Sequence, residues 1–70
     1  MGTMITIHLN GEPSHLEDQL TLRELLEKNR IRMDAVAVSI NSEIIPRSCI
    51  NDQRLSEGDH VEIIHAVGGG

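Results

Sequence analysis

The residues of this sequence that are best suited to chemistry stand at its end, which reads Val67-Gly68-Gly69-Gly70. A run of glycines adds little to a fold, because glycine loses the most backbone entropy on ordering and has no side chain to pack. The same run forms a thin strip of backbone with a terminal carboxylate, and it can enter a channel that any Cβ atom would block. We therefore predict that Gly70 carries the chemistry and that the preceding residues hold it.

The other reactive side chains have simpler structural explanations. The single cysteine, Cys49, lacks a recognisable Cys-His-Asp arrangement and is expected to be structural or incidental. No two histidines stand at a zinc-binding spacing, and no pair of carboxylates is placed to act as an acid and a base in one pocket. We expect solvated or partner-facing histidines, no metal site and no intrinsic enzymatic activity. The histidines are His8, His15, His60 and His65.

The composition argues against several kinds of partner. The 70 residues include eleven acidic and six basic side chains, for a formal net charge of −5, and no aromatic residue. This charge opposes binding to a phosphate backbone, and nucleic-acid bases would find no aromatic side chain to stack on. No apolar segment is long enough to span a bilayer, so we expect a soluble cytoplasmic protein that binds neither nucleic acid nor membrane. A basic surface on a partner protein is the natural complement.

The elements that must position the glycines are those of one small α+β domain. Alternating apolar and polar residues predict strands at residues 5–9, 12–16, 35–40, 43–45 and 60–67. Asn10-Gly11 predicts a hairpin between the first two strands, and Gly58 is expected to take a positive φ before the last strand. We place the domain at residues 1–67 and a flexible tail at 68–70, with residues 1–3 expected to be an alternative start or a cloning remnant.

One helix is predicted at residues 20–29, lying on one face of a small mixed sheet of four to five strands. Thr21 and Glu24 have the spacing of a capping box, and Asn29 is expected to end the helix in the left-handed conformation. Three leucines share one helical face: Leu22, Leu25 and Leu26. The segment 47–54 is predicted to be a loop, with Cys49, Ile50 and Leu55 pointing inward.

Several segments together resemble the ThiS family of ubiquitin-like sulfur carriers. They are Leu-Asn-Gly at 9–11, Leu-Thr-Leu-Arg-Glu-Leu-Leu at 20–26, Val-Ala-Val-Ser-Ile-Asn at 36–41, Ile-Pro-Arg at 45–47, Leu-Ser-Glu-Gly-Asp at 55–59, Val-Glu-Ile-Ile at 61–64 and Ala-Val-Gly-Gly-Gly at 66–70. The resemblance implies a β-grasp fold in which the first and last strands lie side by side and parallel at the centre of the sheet.

The resemblance also implies a carrier function. An E1-like adenylyltransferase would use ATP and magnesium to adenylate the carboxylate of Gly70, with Gly69 as the second glycine of the motif. Sulfur from a cysteine desulfurase relay would convert the adenylate into a thiocarboxylate, and a thiazole synthase would use that sulfur for the thiazole ring of thiamine. No cofactor is expected on this chain itself, and no chemistry is assigned to Gly68.

We predict that partners dock on the exposed face of the last strand. Ile64 and Ile45 are the expected apolar contacts, and Glu62 or Asp59 would steer the chain toward a basic surface. Three alternative functions remain open at this point. They are a sulfur carrier of another pathway (molybdopterin, cysteine or tungsten-cofactor synthesis), a ubiquitin-like interaction module without covalent chemistry, and a protein modifier that Gly70 links to a lysine.

Overall fold

The computed structural model describes residues 3–65. Within them lie the strands β1 (Met4–Leu9), β2 (Glu12–Glu17), β3 (Val36–Ile40), β4 (Glu43–Ile45) and β5 (His60–His65), the helix α1 (Leu22–Lys28) and two 3-10 turns (Met33–Ala35 and Arg47–Cys49). The predicted reactive residues Gly69 and Gly70 lie outside the described residues. So do the end of the predicted last strand at 66–67 and the boundary of the predicted tail at 68–70.

The five strands form one mixed sheet in the order β2-β1-β5-β3-β4. β1 and β5 pair in parallel, with His8 opposite His60 and Leu9 opposite Val61. The other neighbouring strands pair antiparallel. The predicted α+β class is confirmed, and the first and last described strands lie together at the centre as the resemblance implied.

Two tight hairpins flank this central pair, and both turn on residues with positive φ. Asn10 and Gly11 have φ values of 50° and 86°, and Asn41 and Ser42 have φ values of 53° and 73°. Two consecutive positive values are typical of the type I′ turn, whose twist matches that of the flanking strands. Gly58, before β5, has a φ of 83°, as predicted. Pro13 lies in β2 at the edge of the sheet, where its missing N–H costs no ladder bond.

The helix α1 begins with the predicted capping box. The Thr21 hydroxyl accepts from the Glu24 backbone N–H (3.2 Å), and the Glu24 carboxylate accepts from the Thr21 backbone N–H (2.9 Å). Two backbone donors that the helix itself cannot satisfy are therefore paired. All three leucines of the predicted face are fully buried: Leu22, Leu25 and Leu26.

The end of the helix corrects the prediction for Asn29. Asn29 has a φ of −96°, and the left-handed residue is Arg30, with a φ of 58°. The Arg30 N–H bonds to the Glu27 carbonyl (3.0 Å) and the Ile31 N–H to the Leu26 carbonyl (2.8 Å), which is the bond pattern of a Schellman motif. Asn29 instead uses its side-chain amide to donate to the Leu25 carbonyl (2.9 Å).

The helix and one face of the sheet enclose a purely aliphatic core. Its buried members are Ile5, Ile7, Leu16, Leu22, Leu25, Leu26, Val36, Val38, Ile40, Ile50, Leu55, Val61 and Ile63. Ile50 and Leu55 point inward as predicted, but the inward placement of Cys49 was wrong, because its side chain is exposed at the end of a 3-10 turn. No helix within residues 3–65 is long and apolar enough to cross a membrane.

The capping box should contribute measurably to stability. Replacing Thr21 by Ala removes the hydroxyl that accepts the Glu24 N–H, so the free energy of unfolding should fall by about 1 kcal/mol. Urea denaturation followed by circular dichroism measures this change. Thr21→Ser keeps the hydroxyl and should therefore lose much less stability than Thr21→Ala. Equal losses in the two variants would contradict the capping role.

The same contact makes stability depend on pH. The pKa of Glu24 is lowered, first because the Thr21 backbone N–H donates to its carboxylate and second because the Thr21 hydroxyl does. A carboxyl whose pKa is depressed by folding stabilises the protein above its unfolded-state pKa, and that contribution disappears as the pH falls through the folded-state value. Glu24→Gln should therefore lose less stability than the wild type on acidification. Glu43→Gln, on an exposed residue of β4, is the control and should follow the wild type.

Candidate functional site

The strand that precedes the predicted reactive glycines lies in the middle of the sheet. β5 pairs with β1 on one side and with β3 on the other. Its last described residue, His65, stands opposite Val36 of β3 and is five positions before Gly70 in the sequence. The segment that leads to Gly70 therefore continues a central strand, which pairs with β1 at its start and with β3 along its length.

Side chains of β5 alternate between the core and the outer face of the sheet, which is the face that α1 does not cover. Val61 and Ile63 are buried, whereas His60, Glu62 and Ile64 are exposed. Ile64 keeps 56% of its surface accessible to solvent. The predicted orientation of these residues is confirmed.

A second exposed isoleucine shares the outer face with Ile64. The register places Ala37 of β3 opposite Ile64, and Ser39 opposite both Glu62 and Ile44. Ile44 is 63% exposed. We call Ala37, Ile44 and Ile64 the outer patch. Apolar side chains that are exposed close together on one face often mark an interaction site. This patch is therefore the best candidate for a contact surface among the described residues.

The predicted partner contact Ile45 lies on the opposite face. It stands opposite Val38, is half-buried and packs against the core. The prediction that Ile45 lies on the same surface as Ile64 was therefore wrong. The neighbouring Ile44 lies on that surface instead. The sequence contained the signal, because a two-residue turn at Asn41-Ser42 fixes the register and aligns Ile45 with the inward-facing Val38. Whether Ile45 touches a partner stays a prediction.

The two predicted acidic contacts differ in their environment. Glu62 is exposed beside Ile64 on the outer face. The Asp59 carboxylate is half-buried and accepts two hydrogen bonds, from the Ser56 backbone N–H (2.9 Å) and from the Asn41 side-chain amide (3.1 Å). Asp59 therefore organises the turn before β5, which leaves Glu62 as the freer group for steering a basic partner.

Three of the four histidines lie on the outer face. The rings of His8 and His60 stack with centroids 4.6 Å apart and planes 7° from parallel. Their nitrogen lone pairs lie in nearly parallel planes, so the two rings as placed cannot both point at one ion. His15 contacts the Thr6 hydroxyl through Nδ1 (3.0 Å). Residues 3–65 contain no group of three or more side chains that could hold a metal ion.

A shallow groove lies beside the end of β5. Its volume is about 260 Å³, and it is lined by Asp34, Ala35, Val36, Ala37, Arg47, Ile64 and His65. Arg47 donates to the Asp34 carbonyl (3.4 Å), and Arg32 pairs with the Asp34 carboxylate (2.9 Å). The hydrogen bond from Arg32 lowers the pKa of Asp34. The groove therefore continues the outer patch and adds charges of both signs.

Known proteins are similar to this chain in both sequence and fold. The profile of the ThiS family matches residues 7–70. The sulfur carrier protein ThiS of Thermus thermophilus is 39% identical over 64 residues, which cover 91% of this chain and 98% of that protein. The crystal structure of a thiamine biosynthesis protein (ThiS) from Geobacter metallireducens superposes with a TM-score of 0.82 at 29% identity, covering 94% of this chain and 100% of that one.

A longer relative contains a segment similar to the whole domain. The thiazole synthase of Magnetococcus marinus is 39% identical over 64 residues, which are 91% of this chain. The chain spans only about a fifth (20%) of that protein's length. The family match, the ThiS relative and the superposed ThiS structure lead to the same conclusion. This chain belongs to the ThiS family.

Proposed function

We propose that this chain is a sulfur carrier of thiamine biosynthesis and that the carboxylate of Gly70 is the group that carries the sulfur. One observation supports the proposal most strongly. The match to the ThiS family runs through residue 70, so the terminal glycines lie inside the matched region. The central position of β5, which leads to them, fits a domain built to present this end of the chain.

The proposed chemistry has two steps. A carboxylate oxygen of Gly70 attacks the α-phosphorus of ATP and pyrophosphate leaves, which turns a poor electrophile into an acyl-adenylate. In the second step, a persulfide sulfur from a cysteine desulfurase relay displaces AMP at the same carbon, and a thiol of the relay then cleaves the resulting acyl disulfide, which leaves a thiocarboxylate on Gly70 and a disulfide in the relay. Glycine suits the second step, because the acyl carbon has no side chain beside it to hinder the attack.

In this proposal the chain is a substrate and not a catalyst. An E1-like adenylyltransferase supplies ATP, magnesium and the groups that stabilise charge in the transition states. A thiazole synthase then accepts the sulfur. The thiazole synthase of Magnetococcus marinus supports this pairing, since it includes a segment like this chain within one polypeptide.

The outer patch and Glu62 are the proposed docking surface for these enzymes. Fully burying an isoleucine side chain contributes roughly 1.5–3 kcal/mol. Ile44 and Ile64 are 63% and 56% exposed, so each can contribute part of this amount on docking. Glu62 lies between the patch and the histidine pair and carries charge complementary to a basic partner. Patch and charge together favour a partner with an apolar centre and a basic rim.

The function can be tested by intact mass spectrometry. The chain is incubated with the E1-like adenylyltransferase of its host, ATP, magnesium and a sulfur donor, and is then weighed. A gain that equals the replacement of one oxygen by sulfur is expected. An unchanged mass would point to a non-covalent interaction module, and a ladder of heavier adducts would point to conjugation. Either result would contradict the proposal.

Gly69→Val should abolish formation of the thiocarboxylate. A β-branched side chain makes the chain wider at the residue next to Gly70 and also restricts the conformation of residue 69. Gly68→Ala is the matched control, because no chemistry is assigned to Gly68, and it should be converted at a rate close to that of the wild type. Circular dichroism should show the same fold in both variants. Normal conversion of the Gly69→Val variant would contradict the requirement for a thin chain end.

Ile64→Ser should weaken docking without unfolding the domain, since this side chain lies outside the core. We expect the KM of the adenylyltransferase for the carrier to rise about tenfold, the equivalent of ~1.4 kcal/mol of lost apolar contact. Met4→Ser is the control. Met4 is similarly exposed, at 58%, but pairs with Glu17 at the far end of the sheet. Equal KM values for the two variants would exclude the outer patch as the docking surface.

A further inference from the structure

The turn that follows β1 holds β5 through a side chain. β1 ends at Leu9, and Asn10 enters the hairpin turn with a φ of 50°. The backbone N–H of Asn10 donates to the Val61 carbonyl (2.8 Å). Its side-chain oxygen Oδ1 accepts from the Ile63 backbone N–H (2.8 Å). One residue therefore makes two hydrogen bonds to β5.

The second of these bonds extends the parallel ladder beyond the end of β1. In a regular parallel pair, the next bond after that from Asn10 N–H to Val61 would join Ile63 N–H to the backbone carbonyl of Asn10. The left-handed conformation of Asn10 turns the backbone into the hairpin, and the side-chain oxygen accepts this bond instead. Ile63 is buried, so water could replace this acceptor only poorly.

From Ile63 onward, β3 is the other described partner of β5. Ala37 stands opposite Ile64, and Val36 stands opposite His65. Without the Asn10 bond, the end of β5 would be held from the β3 side alone. This end carries Ile64 of the outer patch and, seven positions after Ile63, Gly70.

We propose that Asn10 is a positioning residue, which fixes β5 at Ile63 and thereby holds the docking residue Ile64 and the start of the segment leading to Gly70 in one arrangement. The inference rests on the proposed carrier function. When a partner binds the outer patch, the segment leading to Gly70 starts from a fixed point relative to that partner. This raises the effective concentration of the Gly70 carboxylate at the adenylation site. If the end of β5 is held less firmly, the same carboxylate is distributed over a larger volume and its effective concentration falls.

Two substitutions separate the hydrogen bond from the turn. Glycine and aspartate both tolerate positive φ, and both form type I′ turns before Gly11. Asn10→Gly removes the acceptor oxygen, whereas Asn10→Asp keeps one. Thr21→Ala is a third variant, which lowers stability through the helix cap without touching β5. The three variants distinguish a missing bond from an altered turn and from general destabilisation.

The expected effects are on amide exchange and on KM. The Ile63 amide should exchange about fivefold faster in Asn10→Gly and near the wild-type rate in Asn10→Asp. The KM of the adenylyltransferase for Asn10→Gly should rise about threefold or more, with kcat within about twofold of the wild type, because the bound carboxylate reacts in the same site. Asn10→Asp and Thr21→Ala should keep KM values near that of the wild type.

Several results would overturn the proposal. An unchanged KM for Asn10→Gly, or an equal rise for Thr21→Ala, would overturn the positioning role and leave the carrier function intact. A wild-type chain that never gains sulfur would overturn both. If Asn10→Gly does not fold, the scalar coupling across the hydrogen bond between the Ile63 nitrogen and the Asn10 side-chain carbonyl carbon tests the contact in the wild type, and its absence would also overturn the proposal.

Discussion

The parallel pairing of β1 with β5 is the constraint on which the rest of the molecule depends. It extends beyond the two opposed residue pairs, because the Gly58 N–H bonds to the Thr6 carbonyl (2.8 Å) and the His8 N–H to the Asp59 carbonyl (2.8 Å). Two parallel neighbouring strands cannot be joined by a tight turn, so the chain between β1 and β5 must pass over a face of the sheet. That crossing carries α1 over one face and leaves the other face free for the outer patch.

The features that the sequence predicted well are set by neighbouring residues. The Asn10-Gly11 turn, the capping box of Thr21 and Glu24 and the positive φ of Gly58 each depend on a few adjacent positions. The errors in local structure were small and have local causes. The left-handed helix end falls on Arg30 and not on Asn29, because the Schellman bonds close one residue later.

The features that the sequence could not show depend on register between distant segments. Nothing near His8 indicates that it stacks on His60, and nothing near Asn10 indicates that it accepts from Ile63. Both contacts follow from the parallel pairing. The fold, the family and the exposure of Ile64 were therefore accessible from sequence, whereas the arrangement around the start of the reactive segment was not. The chemistry at Gly70 came from the resemblance and stays a proposal.

The two edges of the sheet have a consequence for how partners recognise this domain. On one edge, β2 contains Pro13, which cannot donate to a further strand, and on the other edge β4 has only three residues and is followed by Pro46. Such edges are poor templates for adding a strand. Recognition by strand addition, in which main-chain bonds supply much of the affinity, is thus disfavoured on both sides. A partner of the proposed carrier would then contact the described domain through side chains, such as those of the outer patch, and not through a sheet edge.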